Sequence, residues 1–204
     1  MERPIAQVED IELWKSFKSG SEAAYRRLYE QYAPVLYSYG CKVCNDEPLV
    51  KDCLQDLFFN VWRTRDNLSY TTSIKYYLFR ALRREIIRKL SRRLEIAHRM
   101  AGAGLEMAER SAEEILIANE DVYIRDQTLK QALSRLSVRQ REAIYLRFYE
   151  NAPFEDIAAI MNITPRAAYK LIYRAIEALQ KTYVPARGMS AELLGLLLIL
   201  AITA

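Results

Sequence analysis

The sequence predicts an all-α protein: two helical domains joined by a linker, with a helix-turn-helix in the C-terminal domain. Apolar residues recur three and four residues apart through almost the whole chain, which is helical rather than strand spacing. Only six Gly and six Pro interrupt the 204 residues, and 51% of the residues are hydrophobic and 27% charged. This balance is typical of a globular protein with real cores. We expect a first domain at 1–95, an acidic linker at 96–125, a second domain at 126–184 and a hydrophobic tail at 185–204.

The first domain begins with two predicted helices. Apolar residues from Ile11 to Phe17 form a short helix that should stop near Gly20. Ser21 is a suitable N-cap for the next helix, because its side chain can accept a hydrogen bond from the first turn. Pro34 lies inside that second helix and predicts a kink or a break.

Two longer helices complete the first domain. One covers roughly 47–63 with its apolar residues on one face, and a polar, turn-like stretch follows at 65–73. The last helix, roughly 73–95, begins aromatic and ends strongly basic. Of its aromatic and apolar residues, Phe79 and Leu82 are expected in the core.

Charge is sorted by segment although the net charge is only +4. Basic residues crowd into 80–99 and acidic residues into 106–126. This distribution favours a polyanion as partner. Charge alone fits two solvated faces equally well.

The second domain has the clearest local signals. Ser137 and Gln140 form a capping-box pattern, which marks a helix start. Further helices are predicted at 154–161 and 165–182. Between them Asn162 suits a left-handed turn residue, since Asn tolerates that conformation better than most residues.

Thr164 and Pro165 then form an N-cap and first-turn pair, so the segment predicts a helix-turn-helix. In its second helix the apolar residues face inward and the polar residues outward. The inward set is Ala168, Leu171, Ile172, Ala175 and Leu179, and the outward set is Arg166, Tyr169, Lys170, Tyr173 and Arg174. A helix fits the major groove with its first residues at base edges and later cations at phosphates. An ordinary helical hairpin with a solvated basic face would show the same pattern.

The string LSVRQREAIYLRFYENAPFEDIAAIMNI stands at 136–163. It resembles the C-terminal promoter-reading domain of sigma factors of the extracytoplasmic-function class, in the sigma-70 family. The matching positions are Leu136, Arg139, Arg141, Arg147, Phe154, Ile157 and Ala158. In the first half, the helix from Asp52 to Trp62 resembles the one that docks on the clamp coiled coil of RNA polymerase. The aromatic-then-basic helix from Lys75 to Arg93 resembles the segment that reads and melts the −10 element. The resemblance covers nearly all of residues 10–184, and the motifs follow one another in the same order as in the family.

The resemblance implies a transcription initiation factor, not an enzyme, that binds core RNA polymerase and promoter DNA. It implies no cofactor and no small-molecule substrate, and it suggests an anti-sigma factor as a further partner. The implied polymerase contacts are Asp52, Gln55, Asp56 and Asn60. The implied −10 contacts are Asn67, Lys75, Tyr76, Tyr77, Arg80, Arg83, Arg84 and Arg88. The implied −35 contacts are Thr164, Arg166, Ala167, Tyr169, Lys170, Tyr173 and Arg174.

The chain also departs from the family. Arg84 and Arg88 stand where family members commonly have Asn and Asp, which keeps phosphate affinity but leaves the −10 sequence preference open. The acidic linker resembles the family's connector, which threads the polymerase channels.

Two alternatives remain at this stage. One is a helix-turn-helix regulator of the response-regulator type, which would have a βα pattern in its first half; the helical spacing there argues against it. The other is a helical interaction protein held at a membrane by its tail, which ends in LLGLLLILAITA. As a helix that end would measure about 18 Å, short of the roughly 30 Å of a bilayer core. We therefore expect the tail to dock on protein, either a regulator or a second copy.

The cysteines and the N-terminus favour an ordinary cytoplasmic protein. Cys41 and Cys44 have the spacing of half a metal site, but Cys53 and His98 are the remaining candidate ligands, so no metal is predicted. Buried cysteines are expected instead. The N-terminus has no apolar signal segment. The sequence shows no nucleophile-base set or Gly-rich phosphate loop on which catalysis could rest.

Overall fold

A computed structural model describes residues 5–71, 73–100 and 132–182. The chain divides into two compact units, Met1–Ala108 and Glu109–Ala204. Throughout the described ranges the regular structure is helical, with no strand. The all-α prediction is confirmed.

The first unit is built from four helices and one short turn. They are α1 (Ile5–Lys18), α2 (Glu22–Val43), α3 (Glu47–Arg63), a 3-10 turn (Arg65–Asn67) and α4 (Ile74–Met100). Helix α1 begins earlier than predicted, and α4 continues past residue 95. Helix α2 runs without interruption through Pro34, so the predicted break does not occur. Pro34 faces solvent, and the carbonyl of exposed Glu30, which loses its helical partner, can bind water instead.

Helices α2, α3 and α4 pack on one another around an apolar core, and α1 packs on α2. Tyr39 of α2 stacks on Phe79 of α4 with ring centroids 4.6 Å apart, and both are fully buried. The helices approach each other closely at Gly40, since a Cβ there would lie 2.5 Å from Val50 Cγ1. Phe79 and Leu82 lie in the core as expected.

Helix α1 also anchors the segment that precedes α4. Trp14 Nε1 donates a hydrogen bond to the Ser69 carbonyl at 3.1 Å. Lys18 Nζ donates to the Leu68 carbonyl and lies 4.5 Å from the centroid of the Tyr70 ring. Tyr70 is 73% exposed. The first helix therefore shapes the segment through which the chain enters α4.

In the second unit, helical residues at 132–134 are followed by α5 (Val138–Ile144), a π-helical segment (Tyr145–Tyr149), α6 (Phe154–Met161) and α7 (Pro165–Thr182). The Ser137–Gln140 capping box is present, with both reciprocal hydrogen bonds. Helices α5 and α6 both pack against α7. The π-helical segment was not predicted; it ends where Glu150 N donates to the Tyr145 carbonyl at 3.1 Å.

Three predicted features lie outside the described residues. These are the linker beyond residue 100, the start of the second domain as far as 131, and the tail at 185–204. Among the residues that the structure describes, no helix is long and apolar enough to cross a membrane.

Candidate nucleic-acid and polymerase interfaces

The turn between α6 and α7 sets the direction of the second helix of the motif. Asn162 ends α6 in the left-handed conformation, with φ 54° and ψ 49°, as predicted. The hydroxyl of Thr164 accepts a hydrogen bond from Ala167 N at 3.2 Å, so it caps α7, whose first residue is Pro165. Thr164 and the first residues of α7, 165–167, are exposed.

Helix α7 has one buried and one exposed face. Ala168, Ile172, Ala175 and Leu179 are buried and Leu171 is half-buried, while the predicted outward residues and Ala167 are exposed. Arg166, Lys170 and Arg174 follow one another at single-turn intervals along the exposed face. Within the described part of the chain, none of these three cations forms an ion pair. Their charge is therefore available to an external anion.

Three side chains from three elements contact one another beside this face. Tyr169 is 59% exposed, and its ring is tilted against that of Phe154 at the start of α6, with the two centroids 5.4 Å apart. The Arg147 guanidinium carbon lies 4.9 Å from the centroid of the Phe154 ring, and Arg147 Nη1 donates to the Ala152 carbonyl at 3.1 Å. Sequence reasoning missed this cluster, because the three residues belong to three elements.

Helix α4 carries a second basic face. Arg80, Arg84 and Arg88 are exposed at one-turn intervals. Arg88 pairs with Glu85 of its own helix, with Nε donating to Oε2 at 3.1 Å. Asn67 is exposed at the end of the 3-10 turn. Most of the cations predicted to contact the −10 element therefore share one side of α4.

One predicted −10 contact needs correction. Arg83 is only 3% exposed, because it lies on the α4 face that carries Phe79 and Ile86 into the core. A side chain in that position cannot reach DNA from this fold, so Arg83 is removed from the candidate set.

The other predicted −10 residues are half-buried: Lys75, Tyr76 and Tyr77. The Tyr77 ring lies edge-on to Trp14 with centroids 5.4 Å apart. Burial raises the pKa of Tyr77, while the charges of Arg84 and Arg80 act in the opposite direction. Tyr77 thus lies where the aromatic start of α4 meets its basic face.

The polar face of α3 carries the predicted polymerase contacts. Asp52, Gln55 and Asn60 are exposed, and Asn60 Oδ1 accepts a hydrogen bond from Arg63 at 3.3 Å. Phe59 lies on the same face with 60% exposure, an aromatic residue that sequence reasoning did not select. Its neighbour Phe58 is buried, and the helical spacing of the core residues could have separated the two.

Asp56 differs from the rest of this set, because it forms an ion pair with another helix. Its Oδ2 lies 2.7 Å from Nζ of Lys89 on α4, and the Asp56 side chain is 49% exposed. A second pair, Arg93 with Asp46, also joins α4 to α3. The pKa of Asp46 lies below its ordinary value because it accepts a hydrogen bond from Leu49 N, and Arg93 adds to this effect.

Cys41 and Cys44 lie at the end of α2, and Cys53 lies within α3. Cys44 and Cys53 are buried, as expected, and Cys41 is partly exposed. Burial raises the pKa of the Cys53 thiol to about 12. Among the described residues no cluster of three or more His, Cys, Asp or Glu side chains could hold a metal; the side chain of His98 lies outside them.

These features are those of a helix-turn-helix protein with a second helical unit that also presents a basic helix. Comparison with known families refines it. A family model described as Sigma-70 region 2 matches residues 28–95, and one described as Sigma-70 region 4 matches residues 126–179. Together they match more than half of the chain.

Relatives and solved structures agree. The chain is 26% identical over 169 residues to the RNA polymerase sigma factor CarQ of Myxococcus xanthus, covering 81% of this chain and 92% of the relative. It is 26% identical over 188 residues to the ECF RNA polymerase sigma factor BldN of Streptomyces coelicolor, covering 88% and 69%. The fold resembles the sigma factor RpoE from Bartonella quintana, solved in complex with the anti-sigma factor NepR, with a TM-score of 0.58 and 23% identity over 78% of this chain and 95% of that one. The chain belongs to the sigma-70 family, in its extracytoplasmic-function class.

Proposed function

We propose that this protein binds core RNA polymerase through α3, engages and opens the −10 element through α4, and reads the −35 element through α7. Promoter-directed initiation is the function of the family. The division of roles among the residues is our proposal. Sigma factors are not enzymes in the usual sense, and we infer that the polymerase supplies the chemistry and that the protein acts in the cytoplasm.

The observation that carries this proposal is the exposed cationic face of α7. Three cations at one-turn spacing on an otherwise well-packed helix match what the major groove requires of a reading helix. The N-terminal position of Arg166 suits contact with a guanine edge or a phosphate. Lys170 and Arg174 lie further along, where phosphates are met.

The −10 surface in this proposal consists of Asn67, Arg80, Arg84 and Arg88, with Lys75, Tyr76 and Tyr77 beside it. Cations hold strand phosphates and aromatic rings can stack on unpaired bases. The polymerase surface is the polar face of α3, with Asp52, Gln55, Asp56 and Asn60.

The predicted domain bounds are part of the same proposal. The body at 1–95 serves the polymerase and the −10 element, 126–184 serves the −35 element, and the acidic segment 96–125 connects them. We also propose an anti-sigma factor as a partner, since the sigma factor RpoE from Bartonella quintana was solved in complex with one. The apolar sequence of the tail at 185–204 makes it the proposed docking segment for such a factor or another protein.

The test is transcription in vitro with core polymerase and this protein on a library of promoters. We expect initiation at a defined subset of promoters, and an Arg166→Ala, Lys170→Ala variant should lose that selectivity. Absence of promoter-specific initiation, with no regulator added, would contradict the proposal. A helical interaction protein docked through its tail predicts the opposite pattern, in which deleting 189–204 abolishes function and the α7 variant behaves normally.

A further inference from the structure

One ion pair joins the two working surfaces of the first unit. Lys89 Nζ lies 2.7 Å from Asp56 Oδ2, so a residue of the proposed polymerase surface is bound to the helix of the proposed DNA surface. The Lys89 side chain is 24% exposed and the Asp56 side chain 49%. The pair is therefore accessible to solvent, and either partner can be taken by a competing group.

We propose that the Asp56–Lys89 pair couples polymerase binding to DNA binding. A cationic or hydrogen-bonding group of the polymerase that engages Asp56 displaces Lys89, and the released ammonium group can then bind a DNA phosphate. This inference rests on the proposed function of α3 and α4. It adds an ion pair that, in the free protein, lowers the affinity of α3 for polymerase and of α4 for DNA.

The physical basis is competition for one carboxylate. While the pair is closed, Asp56 is less available to the polymerase and Lys89 is less available to DNA. The coupling must be reciprocal, since two ligands that both favour the open pair each strengthen the binding of the other. A solvent-accessible pair of this kind is closed about 1.4 to 5 times as often as it is open. A ligand that needs the open form therefore loses about two- to sixfold in affinity.

The neighbouring pair provides a matched comparison. Arg93 and Asp46 also join α4 to α3, but Asp46 caps α3 and lies outside the proposed polymerase surface. Lys89→Gln and Arg93→Gln each remove one positive charge and one bridge between the same two helices. Only the first frees a proposed polymerase contact.

The experiment measures the affinity of the full-length chain for core RNA polymerase by titration of a fluorescent label. We expect Lys89→Gln to bind core polymerase about two- to sixfold more tightly than the unaltered protein. Arg93→Gln should bind as the unaltered protein does. An unchanged or weaker affinity for Lys89→Gln would overturn the proposal, and so would an equal gain for Arg93→Gln.

Asp56→Asn separates this inference from the function on which it rests. It should weaken core binding, and adding Lys89→Gln to it should give no further gain. If Asp56→Asn leaves core binding unchanged, the assignment of the α3 surface fails, and the coupling fails with it. If Asp56→Asn weakens binding but Lys89→Gln gives no gain in the unaltered background, the surface stands and the coupling alone is refuted.

The reciprocal effect is measured with DNA. Asp56→Asn releases Lys89, so the full-length chain should bind a mixed-sequence single strand with a salt dependence steeper by about 0.7, the value for one added phosphate contact. Glu12→Gln, an exposed substitution on α1 with the same change in charge, is the control. An equal change in both variants would mean that net charge, and not release of Lys89, is responsible.

Discussion

Neutralising the cationic face of α7 should remove a defined part of the salt dependence of DNA binding. The perturbation is the triple substitution Arg166→Ala, Lys170→Ala and Arg174→Ala. All three residues are exposed, and Ala is a strong helix former, so the helix itself is retained. The expected change thus lies in binding and not in folding.

The magnitude follows from the number of phosphates that these residues can meet. Each phosphate contact contributes about 0.9 to the slope of log affinity against log salt, so loss of three contacts lowers the slope by about 2.7. Between about 50 and 200 mM salt the unaltered protein should lose about 40-fold more affinity than the triple variant. If one of the three residues contacts a base edge instead of a phosphate, the difference in salt dependence is smaller. The triple variant then loses sequence preference as well.

The assay is fluorescence anisotropy of the full-length protein with a short mixed-sequence duplex over a series of salt concentrations. Lys181→Ala is the matched control, since Lys181 lies on the same helix but pairs with Glu177 at 3.1 Å. Its slope should equal that of the unaltered protein. A triple variant that keeps the full slope, or a Lys181→Ala variant that loses as much, would refute the assignment of α7 as the DNA-reading helix.

Three further predictions concern the first unit. Asp56→Arg should weaken core polymerase binding by more than about tenfold without lowering affinity for duplex DNA; an equal loss in both would contradict the division of roles. Gly40→Ala should destabilise the protein by about 0.5–2 kcal/mol in urea denaturation, because its Cβ would meet Val50 and overpacking outweighs the gain in helix propensity. Adding Val50→Ala should cost less than the sum of the two single changes, and simple additivity would argue against the contact. Stability should fall as pH rises above 9.0, the ordinary value for the Cys53 thiol, because the folded protein keeps this thiol protonated up to about 12 while the unfolded chain loses the proton. The loss is at most about 1.4 kcal/mol per pH unit from this group, and Cys53→Ala should show a shallower decline in urea titrations at each pH.

The second unit was predictable because its signals are local. The capping box at Ser137, the left-handed Asn162 and the Thr164–Pro165 start each involve residues within one turn of one another. Their physical causes act without any knowledge of the rest of the fold. The bounds of α6 and α7 accordingly agree with the predicted ones.

The first unit shows where local reasoning stops. Arg83 was selected as one of many basic residues, although it is spaced from Phe79 and Ile86 as a member of the buried stripe would be. The helical spacing therefore places Arg83 on the buried face, but an arginine is not expected among apolar core residues. The Asp56–Lys89 pair could not be read from the sequence at all, since it depends on how α3 and α4 lie against each other.

The anchoring of the segment before α4 by α1 has a practical consequence for constructing truncated forms. The region 2 match starts at residue 28, yet Trp14 and Lys18 hold the carbonyls of Ser69 and Leu68. A fragment that begins at residue 28 would lack the donors to both carbonyls. The segment that precedes α4 would then lose these two hydrogen bonds. Fragments intended to report on −10 recognition should therefore keep the amino-terminal helix.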